Sequence, residues 1–271
     1  MKIVFWNVYK KDLTNELAIL AQEIDPDILF LAECTMNVAD VLNSLNRLRT
    51  SYFFNYDPIC LKIHMFSKFR DKFVKPITGS LRYTVRNVKI PLYPSFNLMC
   101  LHFQSKQNWD APSQAAHSAT MSTVIKEFEG KTKSSNSIII GDFNMNPFEP
   151  GMIQTTGFHS TMSKSIAQRK SRIVDGHEYP FFYNPMWSFF GDEGKGDVNG
   201  TFYSSRSQPI NYFWSIFDQV LIRPDLIPYL EDDGVKIITE FGVAKKLLKP
   251  NETIDDAISD HLPISCTLKR I

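Results

Sequence analysis

Six short apolar runs of this chain end or begin on polar residues able to do chemistry, and this constrains the fold more than any other feature. Asn7 follows IVFW, Glu33 follows ILFLA, His102 follows NLMCL, and Asp142 and Asn144 follow SIIIG. Asp218 precedes QVLI, and Asp260 and His261 precede LPISCTL. Runs this short and this continuously apolar read as strands buried on both faces. A buried strand rigidly aims whatever stands at its end. A carboxylate there costs free energy unless it is paired, hydrogen-bonded or bound to metal. The strand ends are therefore expected to converge on one site.

Between these runs the periodicity changes. Leu13, Leu17, Leu20 and Ile24 fall at helical spacing, and Asp25-Pro26 ends that helix. Val38, Leu42, Leu45 and Leu48 predict a second helix. Met121, Val124, Ile125 and Phe128 predict a third, closed by Gly130. Ile59–Phe66 reads as a strand, and Leu81, Tyr83 and Val85 alternate at period two. Strands and helices are mixed throughout, which favours two sheets covered by helices over a purely parallel sheet. Thr155–Asn211 is less regular. It holds a basic run (Lys164, Arg169, Lys170, Arg172), an aromatic run (Tyr179–Phe190) and four glycines between Gly191 and Gly200. It reads as long loops, so residues 1–271 are expected to form a single α/β domain.

Charge excludes one class of behaviour. Thirty Lys+Arg against 29 Asp+Glu leaves a net charge of +1, so no overall field draws the chain to nucleic acid or membrane. Any grip on a polyanion must come from local arrangement. The four cysteines, Cys34, Cys60, Cys100 and Cys266, form no CxxC pair, which argues against a zinc ribbon. Three of them sit in apolar runs as small buried thiols, consistent with a reducing compartment. No stretch approaches the ~20 apolar residues of a membrane span, and MKIVFWN is too short for a signal-peptide core. The expectation is a soluble cytoplasmic protein with no membrane partner.

The residues at the strand ends select a chemistry. Glu33, Asp142 and Asp260 are hard oxygen donors, and Asn7 and Asn144 add amide oxygens. Such a set suits Mg²⁺, with Mn²⁺ able to substitute, over Zn²⁺ or copper. A bound Mg²⁺ shares its shell with substrate phosphate and lowers the pKa of water. His102 and His261 can move a proton near neutral pH. The combination points to hydrolysis of a phosphate ester.

The motifs FWN (5–7), AE (32–33), LH (101–102), GDFN (141–144), FDQVL (217–221) and SDH (259–261) come in an order that resembles the endonuclease/exonuclease/phosphatase, or deoxyribonuclease I-like, superfamily. Each motif is weak alone; all six in order span the chain. The resemblance implies a four-layer α/β/β/α sandwich with the site at one edge of the two sheets. It implies Glu33 as the main Mg²⁺ ligand, with Asn7 and Asp260 near the metal. Asp142 would orient the attacking water and Asn144 would hold the phosphate. His261, fixed by Asp218, would contact phosphate or act as base, and His102 would be a second phosphate contact or acid. A histidine at 102, where abasic endonucleases usually carry tyrosine, argues against a dedicated abasic-site function. No acidic partner for His102 can be assigned from the sequence.

Simpler readings stand beside these. Glu33 also suits the exposed end of a strand, and Asn7 and Asn144 suit turns. His64, His117, His159 and His177 read as structural or surface histidines. The basic run suits either a phosphate backbone or a solvated loop, and Lys195, Arg206 and Arg223 are further candidates for phosphate contact. Phe181, Phe182, Trp187, Phe189 and Phe190 read as a local core. The functional expectation is a Mg²⁺-dependent phosphodiesterase, a nuclease acting on DNA before RNA. A phosphatase or phospholipid diesterase on a small or lipid substrate is the alternative.

Overall fold

Consecutive residues of the buried runs enter different cores. In the computed structural model, which describes residues 1–47, 51–243 and 245–271, Ile3 and Phe5 join one apolar cluster while Val4 and Trp6 join another. Ile28 and Phe30 part in the same way from Leu29 and Leu31, and Leu98 and Cys100 from Met99 and Leu101. Side chains alternate across a strand, so a strand covered on both faces needs apolar residues at every position. This is the physical content of the unbroken apolar runs.

Two sheets result. The six-stranded sheet runs Leu230–Ile237, Ile264–Leu268, Lys2–Asn7, Ile28–Ala32, Ile63–Ser67, Phe53–Phe54. The seven-stranded sheet runs Val74–Ser80, Tyr83–Val88, Phe96–His102, Ser137–Asp142, Asp218–Ile222, Phe182–Tyr183, Ser160–Thr161. Their inner faces share the core of Ile3, Phe5, Phe30, Leu98, Ile140 and Val220. Helices Thr14–Glu23 and Val38–Leu45 cover the outside of the first sheet through Leu17, Leu20, Val41 and Leu45. Helix Ala111–Thr132 covers the second through Met121, Ile125 and Phe128. The architecture is a four-layer α/β/β/α sandwich. Phe30 is fully buried between the sheets, and its truncation to alanine costs about 3–5 kcal/mol.

Strand direction brings the polar ends to one edge. Lys2–Asn7 and Ile28–Ala32 are parallel, with Asn7 opposite Ala32. Phe96–His102 and Ser137–Asp142 are parallel, with His102 opposite Asp142. Asp218–Ile222 runs the other way and starts with Asp218 opposite Asp142. Ile264 pairs with Phe5 in an antiparallel ladder, so the preceding Asp260 and His261 arrive at the end of the strand that carries Asn7.

Four local points depart from the expectations, the first being that the stretch read as long loops supplies Ser160–Thr161 and Phe182–Tyr183 to the second sheet. The strand expected at Ile59–Phe66 instead spans Ile63–Ser67; Ile59 and Leu61 lie in an exposed loop. The third helix runs through the exposed Gly130 to Thr132 and closes on Lys133 in left-handed backbone (φ 51°), whose N–H reaches the Glu129 and Gly130 carbonyls. Val74–Ser80 is a strand that the sequence pattern does not mark, since most of its side chains are at least half-exposed. Leu48, expected in the second helix, lies outside the described residues. Among the described residues no helix is long and apolar enough to cross a membrane.

Candidate active site

His102, Asp142 and Asp218 stand side by side on three neighbouring strands. Gly141 makes this possible. It pairs with Leu101, its φ is +151°, and a Cβ there would sit 2.0 Å from the Leu101 carbonyl oxygen. Asp142 is buried and used on both oxygens. Its Oδ1 accepts the backbone N–H of Asn144 at 2.8 Å, and its Oδ2 accepts the Asn7 Nδ2 at 3.2 Å across the gap between the sheets. The same Oδ2 lies 3.7 Å from His102 Nε2 and 3.9 Å from His261 Nε2. Seven of the eight expected site residues thus join through direct contacts, and the eighth, Asp260, is the sequence neighbour of His261.

His261 is fastened from several directions. Its carbonyl accepts the Trp6 indole N–H at 3.0 Å, and its N–H donates to Ser259 Oγ at 3.2 Å. Ser259 Oγ donates in turn to the Asn7 carbonyl at 2.7 Å. Phe202 forms an antiparallel bridge with it and lays a ring 5.1 Å from the imidazole. The ring's Nδ1 meets Asp218 Oδ2 at 2.7 Å, and the Asp218 N–H donates to Thr201 Oγ1 at 3.0 Å.

The two histidines differ in charge. Burial opposes protonation of both. At His261 the carboxylates of Asp218 and Asp142 prevail and push it up to about 10. At His102 burial prevails over Asp142, Arg82 and Lys62 add positive potential, and the ring falls to about 4. His261 therefore holds a proton at neutral pH and His102 does not. His102 Nε2 lies 3.4 Å from Glu33 Oε1, so its carboxylate neighbours are Glu33 and Asp142.

The edge near Glu33 and Asp260 is less satisfied. Burial raises the Asp260 carboxyl above its ordinary range; His261 opposes this, and Glu33 and Asp142 add to it. Asp260 Oδ1 is buried with no hydrogen-bond partner among the described residues. Glu33 is half-exposed and held in left-handed backbone, φ 52°. Asn7 Oδ1 accepts the Tyr9 N–H at 3.1 Å and keeps a second lone pair. Hard oxygen donors with unbalanced negative charge and an orphaned oxygen fit a divalent cation. Asp142, Asp218 and His261 form another group whose ligand atoms lie within 4.8 Å of one another. It fits a cation less well, because an imidazolium has no lone pair to give. Asp218 Oδ1 and His102 Nδ1 are also without partners among the described residues. Asn144 uses one amide N–H on the Phe103 carbonyl at 3.1 Å and holds φ 50°.

The cations expected to touch phosphate are elsewhere. Arg223 is paired with Glu129 at 2.9 Å at the far end of the strand that Asp218 begins. Lys170 pairs with Asp225, Arg172 donates to His159, and Lys195 pairs with Asp233. Arg206 is on an exposed loop. The cations near the site are instead Lys62, Arg82 and Lys106. Lys62 and Arg82 follow the strand-end pattern, each standing one residue before a strand. Lys106 pairs with Glu149 and lies over the Phe217 ring at 5.5 Å. Phe217 stacks on Phe202 at 5.2 Å, so a half-exposed aromatic pair borders His261. Phe181, Phe182 and Phe189 are core residues. His64 packs on Phe54 and Phe66, His117 on Phe103 and Trp109, and His159 stacks on Phe181.

Residues 4–261 match the profile of the Endonuclease/Exonuclease/phosphatase family. No curated protein matches the chain in sequence. Among solved structures it is similar to D. rerio TDP2 complexed with single strand DNA product, at 16% identity and TM-score 0.56, covering 99% of this chain and 98% of the other. It is similar to the human Nocturnin catalytic domain with bound sulfate anion, at 15% identity and TM-score 0.57, covering 100% and 94%. An AP endonuclease from Archaeoglobus fulgidus matches at 15% identity and TM-score 0.56, covering 99% of both chains.

Proposed function

The chain belongs to the endonuclease/exonuclease/phosphatase family and is a phosphoric ester hydrolase, and on that premise we propose that it is a Mg²⁺-dependent phosphodiesterase that cleaves nucleic acid, DNA before RNA. The observation that carries the mechanism is the division of the site. A protonated His261 is locked on Asp218 at 2.7 Å, and an orphaned Asp260 oxygen lies beside Glu33.

Glu33, Asp260 and the free lone pair of Asn7 would hold the cation. When bound, Mg²⁺ supplies charge neutralisation at the phosphate and acidifies water. Asp142, fixed by the Asn144 N–H and the Asn7 amide, orients the attacking water and takes its proton. His261 Nε2–H donates to a non-bridging oxygen, where charge builds in the transition state. Asp218 holds that ring in one orientation and keeps the proton on it. Neutral His102 serves as a hydrogen-bonding group to the phosphate and not as a strong acid. Asn144 contributes its remaining amide N–H.

The nucleic-acid reading is supported by the aromatic pair Phe202 and Phe217 at the rim, since such faces stack bases. DNA is favoured over RNA because the similar structures include one with single-strand DNA product and an AP endonuclease. The free cysteines accord with a reducing, cytoplasmic setting. A second reading, a lipid-phosphate diesterase, gains from Ile59, Leu61 and Leu81, which are exposed on the Glu33 side. A panel of plasmid, single-stranded DNA, RNA, sphingomyelin vesicles and inositol phosphates, each with Mg²⁺ and Mn²⁺, separates them. Turnover of DNA above the rest is expected. Turnover of lipid or inositol phosphate with inert nucleic acid would reverse the order.

A further inference from the structure

We propose that Lys62 and Arg82 form a second phosphate subsite, taking the phosphate that neighbours the scissile one in a polynucleotide. This rests on the phosphodiesterase reading above.

Both residues stand at strand ends on the active-site edge. Lys62 precedes Ile63, which pairs with Ala32; Arg82 precedes Tyr83, which pairs with Leu101. Backbone bonds tie each to a site residue. The Glu33 N–H donates to the Lys62 carbonyl at 3.3 Å, and the His102 N–H donates to the Arg82 carbonyl at 2.9 Å. Arg82 Nη1 donates back to the His102 carbonyl at 3.3 Å. The Lys62 N–H donates to the Leu81 carbonyl at 3.2 Å, which joins the two segments into one corner. The cations are thus mounted on the backbone that carries Glu33 and His102, on the side of the site away from the His261–Asp218 pair.

Neither cation forms an ion pair among the described residues. Lys106, by contrast, pairs with Glu149 and Arg86 with Asp57. Two adjacent positive groups left without carboxylates, beside a site dense in carboxylates, suit a phosphate. The scissile phosphate already has His261 and Asn144. The corner offers a place one nucleotide further along. Leu61 and Leu81, 62% and 48% exposed, stand beside the two cations and give an apolar wall for a sugar or base. An anionic membrane is the other surface that such a basic and apolar corner fits. Arg82 is half-buried with its Nη1 on the His102 carbonyl, a recessed setting that suits a flexible strand over a flat bilayer.

The test compares three substrates: a thymidine dinucleotide, the same with a 5′-phosphate, and the same with a 3′-phosphate, all with Mg²⁺. One terminal phosphate is expected to raise kcat/KM by about tenfold in the wild-type protein. The ratio should fall to about one in Lys62→Gln combined with Arg82→Gln, and part of the way in Lys62→Gln alone. The readout is a ratio within one protein, so a general loss of turnover cancels, and Lys62→Gln alters only an exposed side chain. A ratio near one in wild type for both phosphates, or a tenfold ratio that survives both substitutions, overturns the subsite. Binding of the wild type to phosphatidylserine vesicles that the double variant loses, with a ratio of one, assigns the corner to a membrane instead. If the wild type cleaves neither the dinucleotides nor bis(p-nitrophenyl) phosphate, it is the phosphodiesterase reading that fails.

Discussion

Around His261 the polar groups are held chiefly by the chain itself: Asp218 grips the ring, Asp142 faces it, Trp6 and Ser259 hold its backbone, and Thr201 holds Asp218. Around Glu33 and Asp260 they are not: two carboxylates share a neighbourhood with neither paired to a lysine or arginine among the described residues, Asp260 Oδ1 lacks a partner as Asp218 Oδ1 does, and Glu33 rests in left-handed backbone. The first half is preorganised and carries its own compensating charge. The second half is incomplete without a cation. A site built this way makes its transition-state donors permanent and leaves charge neutralisation to something that binds.

The comparison breaks most sharply at saturating and limiting metal. Asp142→Asn is expected to lower kcat by about 10³, and added Mg²⁺ should not restore it, because the lost group acts on water. Glu33→Gln should lose comparable activity at low Mg²⁺ and recover part of it as Mg²⁺ rises. Equal behaviour of the two variants in a metal titration of initial rates erases the distinction between the halves.

A smaller effect lies in stability. Mg²⁺ at about 100 times its Kd stabilises a binding-competent fold by about 2.7 kcal/mol, or about 5 °C in Tm for a chain of this size. Thermal melts should show this shift in wild type and in Asp218→Asn, and lose most of it in Glu33→Gln and Asp260→Asn. A shift lost in Asp218→Asn but kept in Glu33→Gln moves the cation to the other half.

The pH dependence of the metal-free protein sharpens the same contrast. The pKa of His261 is raised from an ordinary 6.5 to about 10. Its contribution to stability is therefore complete below about pH 6.5 and is lost as pH rises through 10. Urea unfolding in EDTA should show wild-type stability falling over this window. In Asp218→Asn, which lacks the main raising partner, the fall should be shallower. Identical slopes would remove the Asp218–His261 pair as the cause. The smallest expected effect is at the far end of the second sheet. Lys170→Ala and Arg172→Ala should change kcat/KM on DNA by less than about twofold, since both side chains lie by the opposite end of the strand that starts at Asp218.

The layers were legible because they follow from burial. Runs apolar at every position must be covered on both faces, and Ile28–Ala32 and Ile264–Leu268 fall at the residues expected. The convergence of Asn7, Glu33, His102, Asp142, Asp218 and His261 was legible for the same reason, because a strand fixes its end. The neighbours of His102 were not, since Glu33 meets it across the two sheets and no local spacing encodes a contact between sheets. Val74–Ser80 escaped because an edge strand with exposed side chains lacks the buried pattern. The basic run Lys164–Arg172 drew attention by its local density, yet density does not say which end of a sheet a loop occupies. Lys62 and Arg82, isolated in sequence, reach the site because each heads a strand that runs from that edge.

Anomalous diffraction from a crystal soaked in Mn²⁺ addresses the division of the site most directly. The expected result is a single strong peak against the carboxylates of Glu33 and Asp260, with the His261–Asp218 contact intact. A peak seated between Asp218 and His261, with Glu33 and Asp260 unliganded, would contradict it.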